Sequence, residues 1–251
     1  MNYINVRRKA FLIGVPEVEG GDFLHGVSAD LKNVRNYLQS MQGGNWYDDE
    51  IIILSNPSYR KVREVVCLSK SDYNLTYFSG HGFSSSDKRR MLCFNGFQLP
   101  DYALFSYSIR QLVIIDACRT YIYPGLTGIP KEEEQLFYLG GSPSRILLNN
   151  CIANSYPGKM IIHATLDGKP SNEDGNGGYF TQALLYVSKR IKADNSYVPA
   201  SIDRFLQYIP ERIQEKKHKI QIPAIAYREG NLTVPFAIGI PSKYKLTSIM
   251  S

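Results

Sequence analysis

The stretch Gln111-Leu112-Val113-Ile114-Ile115-Asp116-Ala117-Cys118-Arg119-Thr120 decides the fold. Residues 112–115 are a short apolar run rich in β-branched side chains, which predicts a buried parallel strand covered on both faces. At its carboxyl end the polarity changes at once to acid, small residue, thiol and base. Reactive crevices in open α/β sheets lie at the carboxyl ends of strands, so Cys118 stands where a nucleophile would be placed. A second stretch has the same form: Leu75-Thr76-Tyr77-Phe78-Ser79-Gly80-His81-Gly82. As parallel neighbours, the two strands would bring His81 and Cys118 to one sheet edge, as a base and a nucleophile require.

Outward from these strands, apolar runs alternate with helical patterns. Residues 9–15 read as a first strand closed by Pro16. Ser28 is the expected N-cap of the next helix, with Asp30 in its first turn, where the helix dipole favours negative charge. Leu31, Val34, Leu38 and Met41 then recur at helical spacing, and Gly43-Gly44 ends the pattern. Residues 50–54 predict a strand and residues 59–68 a helix. Residues 83–90 are polar and serine-rich, hence a mobile loop. Residues 91–94 and 97–99, split by Asn95-Gly96, predict a hairpin. Residues 101–108 read as a helix.

Residues 121–141 break the rhythm with prolines, glycines and the acid run at 132–134. A loop of this length in a compact domain is functional or disordered. Helix at 145–154 and strand at 159–165 follow, with His163 inside the strand as a core histidine. A Gly-rich loop carrying Asp167, Glu173 and Asp174 leads to a helix with Leu184, Val187 and Ile191 on one face. Another helix, restarted at Pro210, covers 202–213. Residues 221–227 and 234–240 are terminal strands whose prolines place them at edges. This order predicts a doubly wound, mostly parallel α/β sheet in one domain, 1–251.

Composition bounds the function. The chain of 251 residues is 43% hydrophobic and 21% charged, ordinary for a globular protein with one large core. No apolar run reaches the roughly 18–20 residues of a membrane span, and the N-terminus lacks a signal-peptide pattern. A cytoplasmic protein without a membrane partner is expected. Net charge is +6, but the basic clusters are short and lie by turns, so solvated surface rather than nucleic-acid binding is expected. Cys67, Cys93, Cys118 and Cys151 show no paired spacing and the histidines are scattered. Free thiols, no metal and no cofactor follow.

The two motifs resemble the caspase and metacaspase superfamily of cysteine peptidases. Animal caspases carry Gln-Ala-Cys-(Arg/Gln/Gly)-Gly with a histidine about fifty residues upstream. Here the pentad is Asp116-Ala117-Cys118-Arg119-Thr120, with His81 37 residues before Cys118. The leading Asp is closer to metacaspases and bacterial caspase homologues. The Gly-x-Phe-Thr pattern ending at Thr181 resembles the family's small part. The resemblance implies a three-layer α/β/α sandwich with about six central strands. It also implies a large part at 1–120, a connecting loop at 121–144 that relatives often cut, and a small part at 145–251.

For chemistry, the resemblance implies an endopeptidase acting on peptides or proteins. His81 and Cys118 would be its dyad, and the backbone N–H groups of Gly82 and Cys118 its oxyanion hole. Metacaspases, which prefer basic residues, have an aspartate two positions before the nucleophile and another in the first helix. Asp116 and Asp30 match, implying cleavage after Arg or Lys. Lys131 is then a candidate self-processing point. Bacterial relatives commonly serve antiviral defence or cell death. Three readings stay open. The chain is an active peptidase, a catalytically silent caspase-like scaffold that binds partners, or a nucleotide-binding α/β protein. The last lacks a Gly-x-Gly-x-x-Gly or Walker lysine motif. Arg119 has two readings, substrate recognition or a salt bridge that fixes the acidic loops.

Overall fold

The structure is a computed structural model describing residues 5–120 and 142–242. Lys131 and most of the expected connecting loop lie outside the described residues.

In chain order the elements begin with strand β1 (Arg8–Val15), helix α1 (Gly26–Gln39) and strand β2 (Ile51–Ser55). A single turn, α2 (Tyr59–Val62), passes into a π-helical segment, Arg63–Cys67. Strands β3 (Tyr73–Gly80), β4 (Gly82–Ser84), β5 (Arg90–Phe94), β6 (Phe97–Pro100) and β7 (Arg110–Asp116) follow. The later half holds α3 (Pro143–Asn154), β8 (Gly158–His163), the short strands β9 (Glu173–Asp174) and β10 (Gly177–Gly178), and α4 (Tyr179–Ser188). It ends with β11 (Val198–Ala200), α5 (Ile209–Lys217), β12 (Ala224–Gly230) and β13 (Ala237–Gly239).

Among the described residues, six strands form the central sheet in the order β12-β8-β7-β3-β1-β2. All pairs are parallel except the antiparallel edge strand β12. The decisive run behaves as its composition dictates. Leu112 and Ile114 face one core with Leu31, Leu38, Phe180 and Leu184. Val113 and Ile115 face a second core with Val62, Val66, Leu92 and Phe94. Alternate side chains point to opposite faces of a strand, so a strand covered on both sides must be apolar throughout. Each such side chain contributes about 1.5–3 kcal/mol when fully buried. Helices α1, α3, α4 and α5 cover the first face. The α2 segment and the small antiparallel sheet β4-β5-β6 cover the second.

Several local expectations are corrected. Helix α1 starts at Gly26 with His25 at its N-cap and no side-chain cap, so Ser28 lies inside the helix. It ends at Gln39, before Gly43-Gly44, because Ser40 turns to extended backbone. Phe83 and Ser84, expected to open the loop 83–90, instead belong to strand β4, because they pair with Met91 and Arg90. The helix expected at 101–108 is only a 3-10 turn, Asp101–Leu104. Beyond it Ser106 and Gln111 hydrogen-bond each other's segment and hold it non-helical. The last strand expected in the sheet, β13, instead pairs with β11 outside it. Among the described residues no helix is long and apolar enough to cross a membrane.

Candidate active site

The register of β3 and β7 sets the site. Ser79 and Asp116 are Cα partners, and His81 and Cys118 each lie two residues further along. The backbone therefore delivers both to the same rim. They line one cleft of about 480 Å³, together with Gly82, Asp30 and Asp116. All five residues singled out from the sequence meet there.

His81 is positioned by a contact the sequence did not reveal. Its Nε2 lies 2.7 Å from the backbone carbonyl of Asp22, in the loop between β1 and α1. A carbonyl oxygen only accepts, so Nε2 carries the proton in the neutral ring and Nδ1 keeps the basic lone pair. A Cβ at Gly21 would come within 3.2 Å of the imidazole, so the glycine lets this loop pack against the ring. Burial lowers the His81 pKa below its ordinary 6.5, against a raising influence from Asp22. The resting imidazole is neutral at physiological pH.

Cys118 is partly buried. Its Sγ lies 3.3 Å from both the backbone N–H and the carbonyl of Ser171. Burial raises the thiol pKa; the Ser171 N–H opposes this and the carboxylates of Asp116 and Glu173 add to it. The resting Cys118 side chain is thus a thiol, which would need a base to take its proton before it could act as a nucleophile. A Cβ at Gly82 would sit 3.0 Å from the Cys118 carbonyl, the Ala117 methyl and the Met91 carbonyl. Only glycine lets β4 approach the Cys118 segment so closely.

Two buried carboxylates lie beneath the rim. Asp30, from α1, accepts from the Ser79 hydroxyl at 2.7 Å and the Gly178 N–H at 2.9 Å. Asp116 accepts from the Ser171 hydroxyl at 2.6 Å, and from the Thr181 hydroxyl and N–H at 2.7 and 3.1 Å. Burial, then the neighbouring Asp116 charge, pushes Asp30 well above the usual carboxylate range. Burial also raises Asp116. A third carboxylate, Glu173, lines the same cleft, accepts from the Gly26 N–H at 2.9 Å, and is raised by burial. Side chains at Gly177 and Gly178 would overlap Asp30 and Asp116, so the glycine-rich loop closes over the acids with bare backbone.

Glu173 stood out in the sequence only as part of an acidic loop. Ser79, Ser171 and the Asp22 carbonyl carried no signal, since their roles depend on contacts across 49 or more positions of chain. Other charged residues noted in the sequence have partners of their own. Asp174 pairs with Lys217 and Gln182. His163 is buried and bonded to Asp101 at 2.9 Å, a core histidine as expected. Arg119 pairs with Asp167 of the loop after β8 at 3.0 Å.

The Cys118 thiol and the His81 imidazole line one cleft at the carboxyl rim of a mostly parallel α/β sheet. Comparison with known proteins gives the family: the model described as "Caspase domain" matches residues 7–231, and the chain belongs to that peptidase family. Caspase-1 from Spodoptera frugiperda shares the fold with a TM-score of 0.56 at 14% identity, over 91% of this chain and 89% of that one. A Geobacter sulfurreducens protein does so with a TM-score of 0.56 at 16% identity, over 93% of this chain and 100% of that one. No curated protein matches the chain by sequence. The family implies a cysteine peptidase type of function with peptide or protein substrates.

Proposed function

We propose that the protein is a cytoplasmic cysteine endopeptidase that cleaves after Arg or Lys through His81 and Cys118. The observation that carries this reading is the single cleft joining thiol, imidazole and buried carboxylates. A guanidinium entering it would meet Asp30 and Asp116, with Glu173 beside them, as acceptors for charge-assisted hydrogen bonds. Its positive charge would offset the cost of keeping those carboxylates ionised out of water.

In the proposed reaction, His81 Nδ1 takes the Cys118 proton and the thiolate attacks the scissile carbonyl carbon. The backbone N–H groups of Gly82 and Cys118 receive the oxyanion. The imidazolium then returns the proton to the leaving amine as the C–N bond breaks. Water, deprotonated by the same imidazole, hydrolyses the thioester and regenerates the thiol. The Asp22 carbonyl holds the ring in one tautomer throughout. The thiol first turns from Ser171 toward His81. Each oxyanion donor is worth about 2.7–4 kcal/mol in comparable sites.

The test is a peptide library cleaved by wild type and by Cys118→Ala. Cuts after Arg or Lys that vanish in the variant support the reading, and cuts after Asp overturn the specificity. The large and small parts on either side of residues 121–144, and self-processing at Lys131, belong to the same proposal. Identical intact masses of wild type and Cys118→Ala after prolonged incubation would rule out self-processing. An antiviral defence or cell-death setting rests on resemblance alone. Phage challenge of cells carrying wild type or Cys118→Ala would decide it.

A further inference from the structure

Arg119 sits inside the nucleophile motif, yet neither the dyad nor the acidic pocket uses it. It is only 6% exposed. Cys118 and Thr120, its neighbours, line the cleft, while its guanidinium turns into the protein. Nη1 donates to the Thr165 carbonyl at 3.1 Å and Nη2 to Asp167 at 3.0 Å. The Ser84 hydroxyl donates to the same Asp167 oxygen. The backbone repeats these links. Ser84 N–H donates to the Thr120 carbonyl at 3.2 Å, Gly168 N–H to the Arg119 carbonyl at 3.0 Å, and Arg119 N–H to the Lys169 carbonyl at 3.0 Å.

Three segments meet at this point. Strand β4 follows His81 and carries Gly82. The 118–120 segment follows β7 and carries Cys118. The 165–171 segment follows β8 and carries Ser171, which contacts both the Cys118 thiol and Asp116. None is held to another by the central sheet, because each lies beyond the end of its strand.

We propose that Arg119 is a positioning residue. With Asp167 and Ser84 it brackets the three segments that carry Gly82, Cys118 and Ser171, and so fixes their spacing. This rests on the peptidase reading for its effect on rate, though not for the bracket itself. A planar fork that reaches a carbonyl and a carboxylate from two ends does this, and a lysine ammonium cannot. Of the two roles left open by the sequence, the geometry selects the fixing of loops over substrate recognition.

Steady-state kinetics on an Arg peptide, combined with hydrogen exchange, test the proposal. Arg119→Lys should lower kcat about 10- to 100-fold with KM within about twofold, as a small misplacement of reacting groups does. Asp167→Ala should show the same split, and Asp167→Asn, which keeps an acceptor oxygen, should recover most of the rate. Asp167 is 39% exposed at its side chain, so these two variants serve if Arg119→Lys does not fold. The double variant should lose little more than either single one, as members of one unit do. A rise in KM alone, or additive losses, overturns the positioning role.

Exchange reads the bracket without any catalysis. In Arg119→Lys and in Asp167→Ala the amides of Ser84, Gly168 and Ser171 should lose protection together, while those within β3 and β7 keep it. Unchanged protection at Ser84 and Ser171 overturns the bracket. A wild type that cuts no Arg or Lys peptide refutes the peptidase reading instead, and leaves exchange to decide this one.

Discussion

Buried charge occurs at both rims of the central sheet, and it is handled in opposite ways. At the amino-terminal rim, Glu50 lies between two arginines. Arg8 approaches it at 3.3 Å, and Arg145 grips it with both terminal nitrogens at 2.8 Å. Arg8 also lies over the Trp46 ring at 4.6 Å and Arg145 over Tyr47 at 3.5 Å. Burial pushes Glu50 upward, but the Arg145 hydrogen bond and the Arg8 charge outweigh it and bring its pKa below 4.5. Burial lowers Arg8 to about 10. At the carboxyl rim, Asp30, Asp116 and Glu173 receive only neutral donors, and among the described residues none of them has an ion pair. All three are shifted up by burial. Where the fold uses acids as structure it supplies the cations. Where it leaves them without cations, the vacancy suits a cationic guest.

The largest effect expected from this contrast is chemical. Cys118→Ala and His81→Ala should each reduce peptide hydrolysis to background, since a nucleophile and its base act as a unit. Neither should shift the thermal midpoint by more than a degree or two. Near-wild-type turnover in either variant would remove chemistry from this rim. Next comes the opposite rim. Glu50→Ala leaves the buried Arg8 and the half-buried Arg145 with carbonyl acceptors but no carboxylate, and should destabilise the fold by about 3–5 kcal/mol, measured by urea denaturation. The sign with pH is fixed by the depressed Glu50 pKa. Its stabilisation is full above the unfolded value of 4.5 and is lost as pH falls through the folded value. The gap between wild type and Glu50→Ala should therefore close on acidification. A constant gap would show that packing, not charge, holds the clamp.

A smaller loss is expected in the pocket. Asp30→Ala and Asp116→Ala should each lower kcat/KM on Arg peptides about 30-fold or more, as truncating one partner of a buried charge pair does. In wild type, KM for Arg peptides should rise as pH falls, because protonating the raised carboxylates removes the charge a guanidinium needs. Unchanged Arg cleavage in both variants would make the two rims alike, both merely structural.

The sequence made legible what short-range pattern determines. The β3 and β7 runs announce buried parallel strands, and their abrupt polar ends announce the rim that holds His81 and Cys118. Asp30 and Asp116 came from resemblance, and they line the cleft by virtue of the β3–β7 register and the place where α1 starts. What stayed hidden depends on distant partners. Residues 82–84 are too short to read as a strand until Arg90–Phe94 lies beside them. Ser28 has the chemistry of a cap, but the helix begins earlier, with the Gly26 N–H bound by Glu173 from 147 positions away. The Asp22 carbonyl that orients His81 is backbone, for which no side-chain type is a signal.

The contrast between rims sharpens most in Asp30→Asn, where stability and activity should move in opposite directions. Asp30 is buried and its folded pKa is raised, so the folded state holds a proton that the unfolded chain releases. The sign is the reverse of Glu50. Stability declines as pH rises from the unfolded value through the folded one, and at neutral pH the carboxylate is a cost. An asparagine has the same shape and none of that cost. Its Oδ1 can keep the Gly178 N–H, and its Nδ2 can donate to Ser79, whose hydroxyl then accepts instead of donating. Asp30→Asn should therefore raise the thermal midpoint at pH 7 by about 2–4 °C, the equivalent of roughly 1 kcal/mol in a chain of this size. The gain should shrink toward pH 4, while cleavage after Arg falls. Glu50→Gln should lower the midpoint at pH 7. Calorimetry of the two variants from pH 4 to pH 8 checks both signs at once. A midpoint that drops in Asp30→Asn would mean the carboxylate is already compensated, and the pocket is not waiting for a cation.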